Sequence, residues 1–261
     1  MALTVGLKAL YHLNGDARDS SGNGNHGTVV GATVESETVK LGSAAYSFDG
    51  VDDRVSIPLL NFDEVSVAFW FNRSSLDSVN ADTVFGAWKW SSDVQLQEGF
   101  DVGRFFQLSP NKCDFTIVTE DGGGVRSVKT VAHNVGDSTG SWTHLVATYS
   151  KSTGEQKLYI DGLLRDTTAH IAGNTIVHST YFVDMWIGAS RVNQGYFNGF
   201  IDEVALWDRP LSDGSVSVGE VAGGEVAESY NDGFGREIKL TPKGYVPRSV
   251  HKAIKVKAVK V

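Results

Sequence analysis

The sequence predicts an all-β protein built as two stacked antiparallel sheets. Three observations lead there. Glycine is abundant (29) and proline scarce (5) among the 261 residues, while Val, Thr, Tyr, Phe and Trp recur throughout; that balance favours strands joined by glycine turns. Short alternating runs follow one another, and several end in Asp-Gly, where glycine accepts the positive φ of a tight turn. One stretch alone, "GGEVAESYNDG" (223–233), reads as a short helix. Many strands with no helices between them stack as two antiparallel sheets.

The elements follow in chain order. "AAYSFDG" (44–50), "RVSIPL" (54–59) and "EVSVAFWFNR" (64–73) alternate apolar with polar residues and read as strands. "EDGGG" (120–124) reads as a hairpin end, because it lacks the lysine, Ser/Thr and helix that follow a phosphate loop. "THLVATYS" (143–150) and "QKLYIDG" (156–162) are strands, as are "MWIGASR" (185–191) and "GFIDEVALWDR" (199–209). Trp70, Trp142, Tyr159, Trp186 and Trp207 sit in or beside these strands, and their expected role is core packing.

Charge and cysteine usage narrow the function. The net charge of −8 argues against nucleic acid, whose phosphates need a basic face. Cys113 is the single cysteine, so no intrachain disulfide and no cysteine-cluster metal site is expected. Lys8 and Gly6 interrupt the apolar start short of a secretion signal, and no run approaches a membrane span. The seven histidines show no metal-ligand spacing.

The C-terminal end differs from the body. Residues 236–261 carry eight Lys or Arg against Glu237, a charge of +7 that leaves −15 on residues 1–235. "HKAIKVKAVKV" alternates lysine with Ala, Ile and Val, the pattern of a strand with one charged and one apolar face. Two units are therefore expected: a domain over 1–235 and a basic arm over 236–261. The arm is either a solvated end or a strand added to a neighbour's sheet edge, giving self-assembly or particle attachment.

Seven motifs occur in an order that resembles one family. They are "DSSGNGNHGTVVGA", "GSAAYSFDGVDDRVSIP", "EVSVAFWF", "WTHLVATYSKSTGEQKLYIDGLL", "IGAS", "FNGFIDEVALWDRPLS" and "AESYNDG". This run is similar to concanavalin A-like, laminin-G-like domains over about residues 5–235. The resemblance implies a jelly-roll sandwich, commonly with a calcium ion, in proteins that bind glycans or other proteins outside cells. The stretch "DGSVSVGEVAGGEV" lengthens a connection that usually runs straight into a short helix.

The loop "DSSGNGNHG" crowds oxygen-bearing residues among glycines, which lets several carbonyls face one point. Calcium takes six to eight such oxygens. Asp19 would supply charge, Asn23 a side-chain or backbone oxygen, and His26 its carbonyl, since imidazole suits a hard cation poorly. The resemblance adds a second carboxylate, Asp202 of "FIDEV". Asp16 and Asp49 are alternates, and a polar turn in which Asp19 satisfies backbone N–H groups is the competing reading. For a ligand, Trp88 and Trp90 of "WKW" and Asn193, Gln194 and Tyr196 of "RVNQGYF" combine rings with hydrogen-bonding groups, as sugars require. One of the two tryptophans at least is expected in the core.

Three function classes follow. A glucanase of this fold needs paired carboxylates on one strand face, no Glu-x-Asp-x-x-Glu run exists, and the adjacent acids of "FIDEV" are expected on opposite faces, so catalysis is not expected. The reading preferred is a calcium-binding adhesion or recognition module for a glycan or protein, on an extracellular or particle surface. The alternative is a viral or phage structural protein, decorating a capsid or tail fibre and attached through its arm.

Overall fold

The computed structural model describes residues 4–75, 82–106, 109–190, 195–213, 216, 228–231 and 237–240. In chain order the strands are β1 (Leu7–Tyr11), β2 (Thr28–Val30), β3 (Thr33–Glu35), β4 (Ala45–Asp49), β5 (Arg54–Pro58) and β6 (Val65–Arg73). Next come β7 (Asp82–Lys89), β8 (Glu98–Phe106), β9 (Ser109–Glu120), β10 (Arg126–Asn134), β11 (Thr143–Tyr149) and β12 (Glu155–Ile160). The last six are β13 (Leu163–Ala169), β14 (Thr175–Ile176), β15 (Asp184–Ile187), β16 (Asn198–Trp207), β17 (Glu228–Asn231) and β18 (Glu237–Leu240).

Two antiparallel sheets stack, as expected. Sheet I runs β13-β12-β11-β6-β16-β4-β3, with β1 also on β16; sheet II runs β10-β9-β8-β7-β15-β5-β2, with β14 on β9. Alternation decides which side chains meet between them. Val65, Val67, Phe69 and Phe71 of β6 face Phe85, Phe100, Val102, Phe115 and Ile187 of sheet II in one core cluster. The rings interlock edge to face, with Phe71 5.5 Å from Phe105 and Phe100 6.5 Å from Phe115. Gly188, at φ +85°, is one place where glycine is required, because a Cβ would fall 2.3 Å from the Phe48 ring.

Gln156 of β12 ties the sheets at one side. Its Nε2 donates to the Phe115 carbonyl at 2.8 Å, and its Oε1 meets His170 Nε2 at 2.9 Å. His170 Nδ1 in turn meets Thr119 Oγ1 at 2.7 Å. Burial pushes the His170 imidazole down to about 4, so it stays neutral.

The two outer faces differ in chemistry. That of sheet I is sealed by an apolar cluster in which Leu211 and Val216 pack with Leu10, Ala68, Val146, Tyr159 and Trp207. That of sheet II carries polar side chains and tryptophans, and this positions the candidate site.

The C-terminal helix expected over 223–233 differs from what is described. Residues Glu228–Asn231 form β17 and pair with β18 instead, Tyr230 opposite Ile238. So short a helix is marginal without packing, and strand pairing offers its backbone another set of partners. The expected arm contributes β18; residues 241–261 lie outside the described residues.

Candidate functional site

The glycine-rich loop returns to β1 through Asp19. One carboxylate oxygen, Oδ1, accepts from Leu10 N at 3.0 Å and Ser21 N at 2.9 Å; Oδ2 accepts from Asn25 N at 2.9 Å. Burial works to raise this carboxyl, but the bonds from Ser21, Asn25 and Leu10 outweigh it and hold it below its ordinary value. Asn23 Nδ2 donates to the carbonyls of Leu7 and Lys8, and His26 Nδ1 accepts from Asp19 N at 3.1 Å. The loop is stapled by its own polar groups.

Asp202 is placed elsewhere. On β16, its Oδ2 accepts from Lys40 N at 3.0 Å and Leu41 N at 2.9 Å, while Oδ1 is buried without a hydrogen-bond partner. Burial raises this carboxyl to about 7 despite those bonds. Asp19, Asn23 and His26 share one loop, whereas Asp202 serves different amides. Asp19 turns both oxygens to three backbone donors, which is the bonding of the polar turn. The alternate Asp49 lies with Asp52 and Asp53, their carboxylate atoms within 4.8 Å of one another, yet Asp49 Oδ1 caps its own turn at Val51 N.

The acids of "FIDEV" do not lie on opposite faces. The β16–β6 register slips between Asp202 and Ala205, and Glu203 takes φ 56°. Such a bulge re-aims side chains. Glu203 Oε2 meets His12 Nδ1 at 2.8 Å, and the Asp202 charge acts on the same imidazole. The hydrogen bond to Glu203 outweighs burial and raises His12 above its ordinary value.

The outer face of sheet II collects the remaining chemistry. Cross-strand register aligns Ser56, Trp186, Gly86, Asp101, Thr116 and Thr130 in one row. Arg104 lies 4.4 Å over the Trp88 ring and bonds Asp114 Oδ2 and Thr116 Oγ1, each at 3.0 Å. Asp101 Oδ2 accepts from Ser190 at 3.0 Å. It leans over Gly86, where a Cβ would fall 1.9 Å from Oδ1. Asp101 Oδ1, Asp114 Oδ1 and Trp88 Nε1 are buried without partners. Burial raises Asp101 to about 7 and Asp114 to about 6, against the opposing pull of Arg104.

At the other end of the row the face is open. Half-exposed Trp186 carries the Arg54 guanidinium 4.6 Å above its ring and donates Nε1–H to Asp184 Oδ2 at 3.0 Å. Asp184 Oδ2 also accepts from Ser56 Oγ at 2.5 Å.

Of the expected ligand residues, Trp88 is buried against Val118 and Val177, which is the core role foreseen for one of the pair. Trp90 lies beyond the end of β7 and is 53% exposed. Tyr196 is half-exposed, bridged to Ala189 beside the Ser190 that bonds Asp101. Asn193 and Gln194 lie outside the described residues. Trp186, expected in the core, was the residue to find: "RVSIPL" and "MWIGASR" each pair a charged or aromatic residue with alternation, but alternation does not say which face is inward.

Solved structures of similar fold include neurotoxin binding domains and a domain of an arabinanase. The botulinum neurotoxin serotype D binding domain aligns at TM-score 0.59 and 16% identity, over 82% of this chain and 50% of that one. A serotype D ligand-binding domain in complex with N-acetylneuraminic acid aligns at TM-score 0.54 and 15% identity, with coverages of 82% and 50%. The chain thus spans about half the length of the neurotoxin structures. Domain 4 of AbnA, a GH43 extracellular arabinanase from Geobacillus stearothermophilus, in complex with arabinotriose, aligns at TM-score 0.54 and 18% identity, over 82% of this chain and 97% of that one. No curated protein matches the chain. Among the described residues, no helix is long and apolar enough to cross a membrane. The laminin-G-type model Laminin_G_3 matches residues 49–217, and the chain belongs to that family of the concanavalin A-like lectin/glucanases superfamily.

Proposed function

We propose that the chain is a non-catalytic glycan-recognition module that binds sugar on the outer face of sheet II, in an extracellular or particle-surface setting. One observation carries the reading: the half-exposed Trp186 ring is held by Asp184 and overlaid by Arg54. Arg54 gives one donor to the Asp52 carbonyl, and a guanidinium has five. A fixed ring beside a fixed donor fork suits a hydroxylated ligand. The complexes of similar folds with arabinotriose and N-acetylneuraminic acid support the ligand class.

On a glycan array the wild type is expected to retain a defined set of sugars, and Trp186→Ala to bind them at least tenfold more weakly. Equal binding by Trp186→Ala, or no glycan retained by the wild type, overturns the reading. Binding rather than hydrolysis is supported by Asp101 and Asp114, which are 0% and 1% exposed and turned to Ser190 and Arg104. Release of reducing sugar that Asp101→Asn abolishes would contradict it.

Calcium belongs to this reading as an ion held by the expected set of Asp19, Asn23, His26 and Asp202, with Asp202 as its fully buried carboxylate. A ligand at 100 times its Kd adds about 2.7 kcal/mol to the folded state. EDTA is therefore expected to lower the Tm of metal-loaded wild type and to leave Asp202→Ala unchanged. Identical melting of wild type with and without chelator rejects calcium.

A further inference from the structure

Among the described residues, thirteen large apolar side chains are a third or more exposed, and six of them lie in segments at one end of sheet II. These are Trp90, Val94, Leu96, Val125, Tyr181 and Val183. They come from three segments, the run after β7, the β9–β10 turn and the run before β15. Buried Glu98 gathers the segments: it accepts from Thr180 N at 2.9 Å and lies 3.9 Å from Lys89 and 3.8 Å from Arg126. Gln95 and Arg126 exchange hydrogen bonds across the end, and Lys89 lies over the Tyr181 ring at 5.6 Å.

The polar side chains here are spent on the loops that carry them. Asp93 Oδ1 accepts from Gln95 N, and Asp121 Oδ1 from Gly123 N and Val125 N. What faces outward is apolar surface bordered by the acids Asp93, Glu120 and Asp121, with Lys89 and Arg126 drawn to the buried Glu98. A sugar needs unspent polar groups, so this end is unsuited to it. A second copy of the same end would set acid against acid.

We propose that this surface is the docking site for the C-terminal arm, residues 251–261, from the same or a neighbouring copy. As an extended strand the arm places Ile254, Val256 and Ala258 on one face, flanked by Lys252 and Lys260, with Lys255 and Lys257 on the other. The apolar face covers the six side chains, and the lysines meet the bordering acids. Charge complementarity selects this occupant: residues 236–261 carry +7 and the rest of the chain −15.

The test uses the full chain with photoreactive benzoyl-phenylalanine in place of Val183, and in a control in place of Val51 at the opposite end of sheet II. Both positions are exposed, so folding is unaffected, and a matching melting curve verifies it. Irradiation is expected to join position 183 to peptides within 251–261, and position 51 to none of them. The double variant Lys255→Glu/Lys257→Glu should cut that yield at least fivefold, and 1 M salt should lower it. Dilution separates a chain's own arm from a neighbour's; either supports the arm as occupant. Crosslinks from 183 that avoid the arm, a yield indifferent to the charge reversal, or capture of phosphatidylcholine vesicles in its place overturns the proposal.

Discussion

Asp19→Ala is expected to destabilise the protein by about 3 kcal/mol, because hydrogen bonds to a charged group contribute about 1.5–3 kcal/mol each and partial relaxation of the loop offsets part of the loss of three. The carboxylate accepts from the amides of Leu10, Ser21 and Asn25, so its removal frees the loop from β1 and leaves the buried Leu10 N–H unpaired. For a chain of this size the shift is about 6–12 °C in Tm. Asp19→Asn keeps an acceptor for two of the donors and should fall between. Since the folded carboxyl sits below its ordinary value of 3.8, its contribution is present above that pH and fades as pH falls through the folded value. The deficit of the Ala variant should therefore shrink in acid. A Tm within 1 °C of wild type at pH 7 would show that the glycines alone shape the loop.

Asp101→Asn is expected to do the reverse and stabilise the protein at pH 8. Asp101, Asp114 and Asp82 are buried, and desolvation raises them to about 7, about 6 and about 6, each against the pull of an arginine. A carboxyl that holds its proton more tightly folded than unfolded stabilises the native state in acid, and that stability is lost as pH rises from about 4 to about 7. His170 acts oppositely: lowered to about 4, it costs stability as pH falls below its unfolded value of 6.5. Stability should therefore decline from about pH 6 to pH 8 instead of staying flat. The neutral Asn removes one of the two carboxyls raised to about 7. It should add on the order of 1–3 kcal/mol at pH 8 and little at pH 5, as read by thermal melts across pH. Loss of stability at both values would mean that attraction to Arg104 outweighs desolvation.

Strands whose alternation ends in a turn signal were legible in the sequence, and β4, β5, β6, β11, β12, β15 and β16 lie within or within one residue of the expected runs. The long strands β7 to β10 were less so. "EGFDVGRFF" and "NKCDFTIVTE" put Asp101, Arg104 and Asp114 on an outer face that is itself buried, and charge in a strand ordinarily signals solvent. Polarity therefore hid them. The bulge at Glu203 had no glycine to announce it. In the glycine-rich loop, the residue types that suit calcium also suit backbone donors, so composition left both readings open, and the Asp19 hydrogen bonds are those of the polar turn. Trp186 was misplaced because a period of two tells that a residue has a face, not which face the second sheet covers.

The tryptophan indoles offer the most direct measurement of the central claim. Six are present, and nitrogen–proton NMR spectra assigned by single Trp→Phe variants give each its own signal. Titrating the best glycan from the array should shift Trp186, whose Nε1–H bonds Asp184 beneath Arg54. Trp207, sealed in the apolar cluster of sheet I, and Trp70 on that same sheet should stay fixed. A saturating glycan that moves Trp70 or Trp207 and leaves Trp186 in place would contradict binding on the outer face of sheet II.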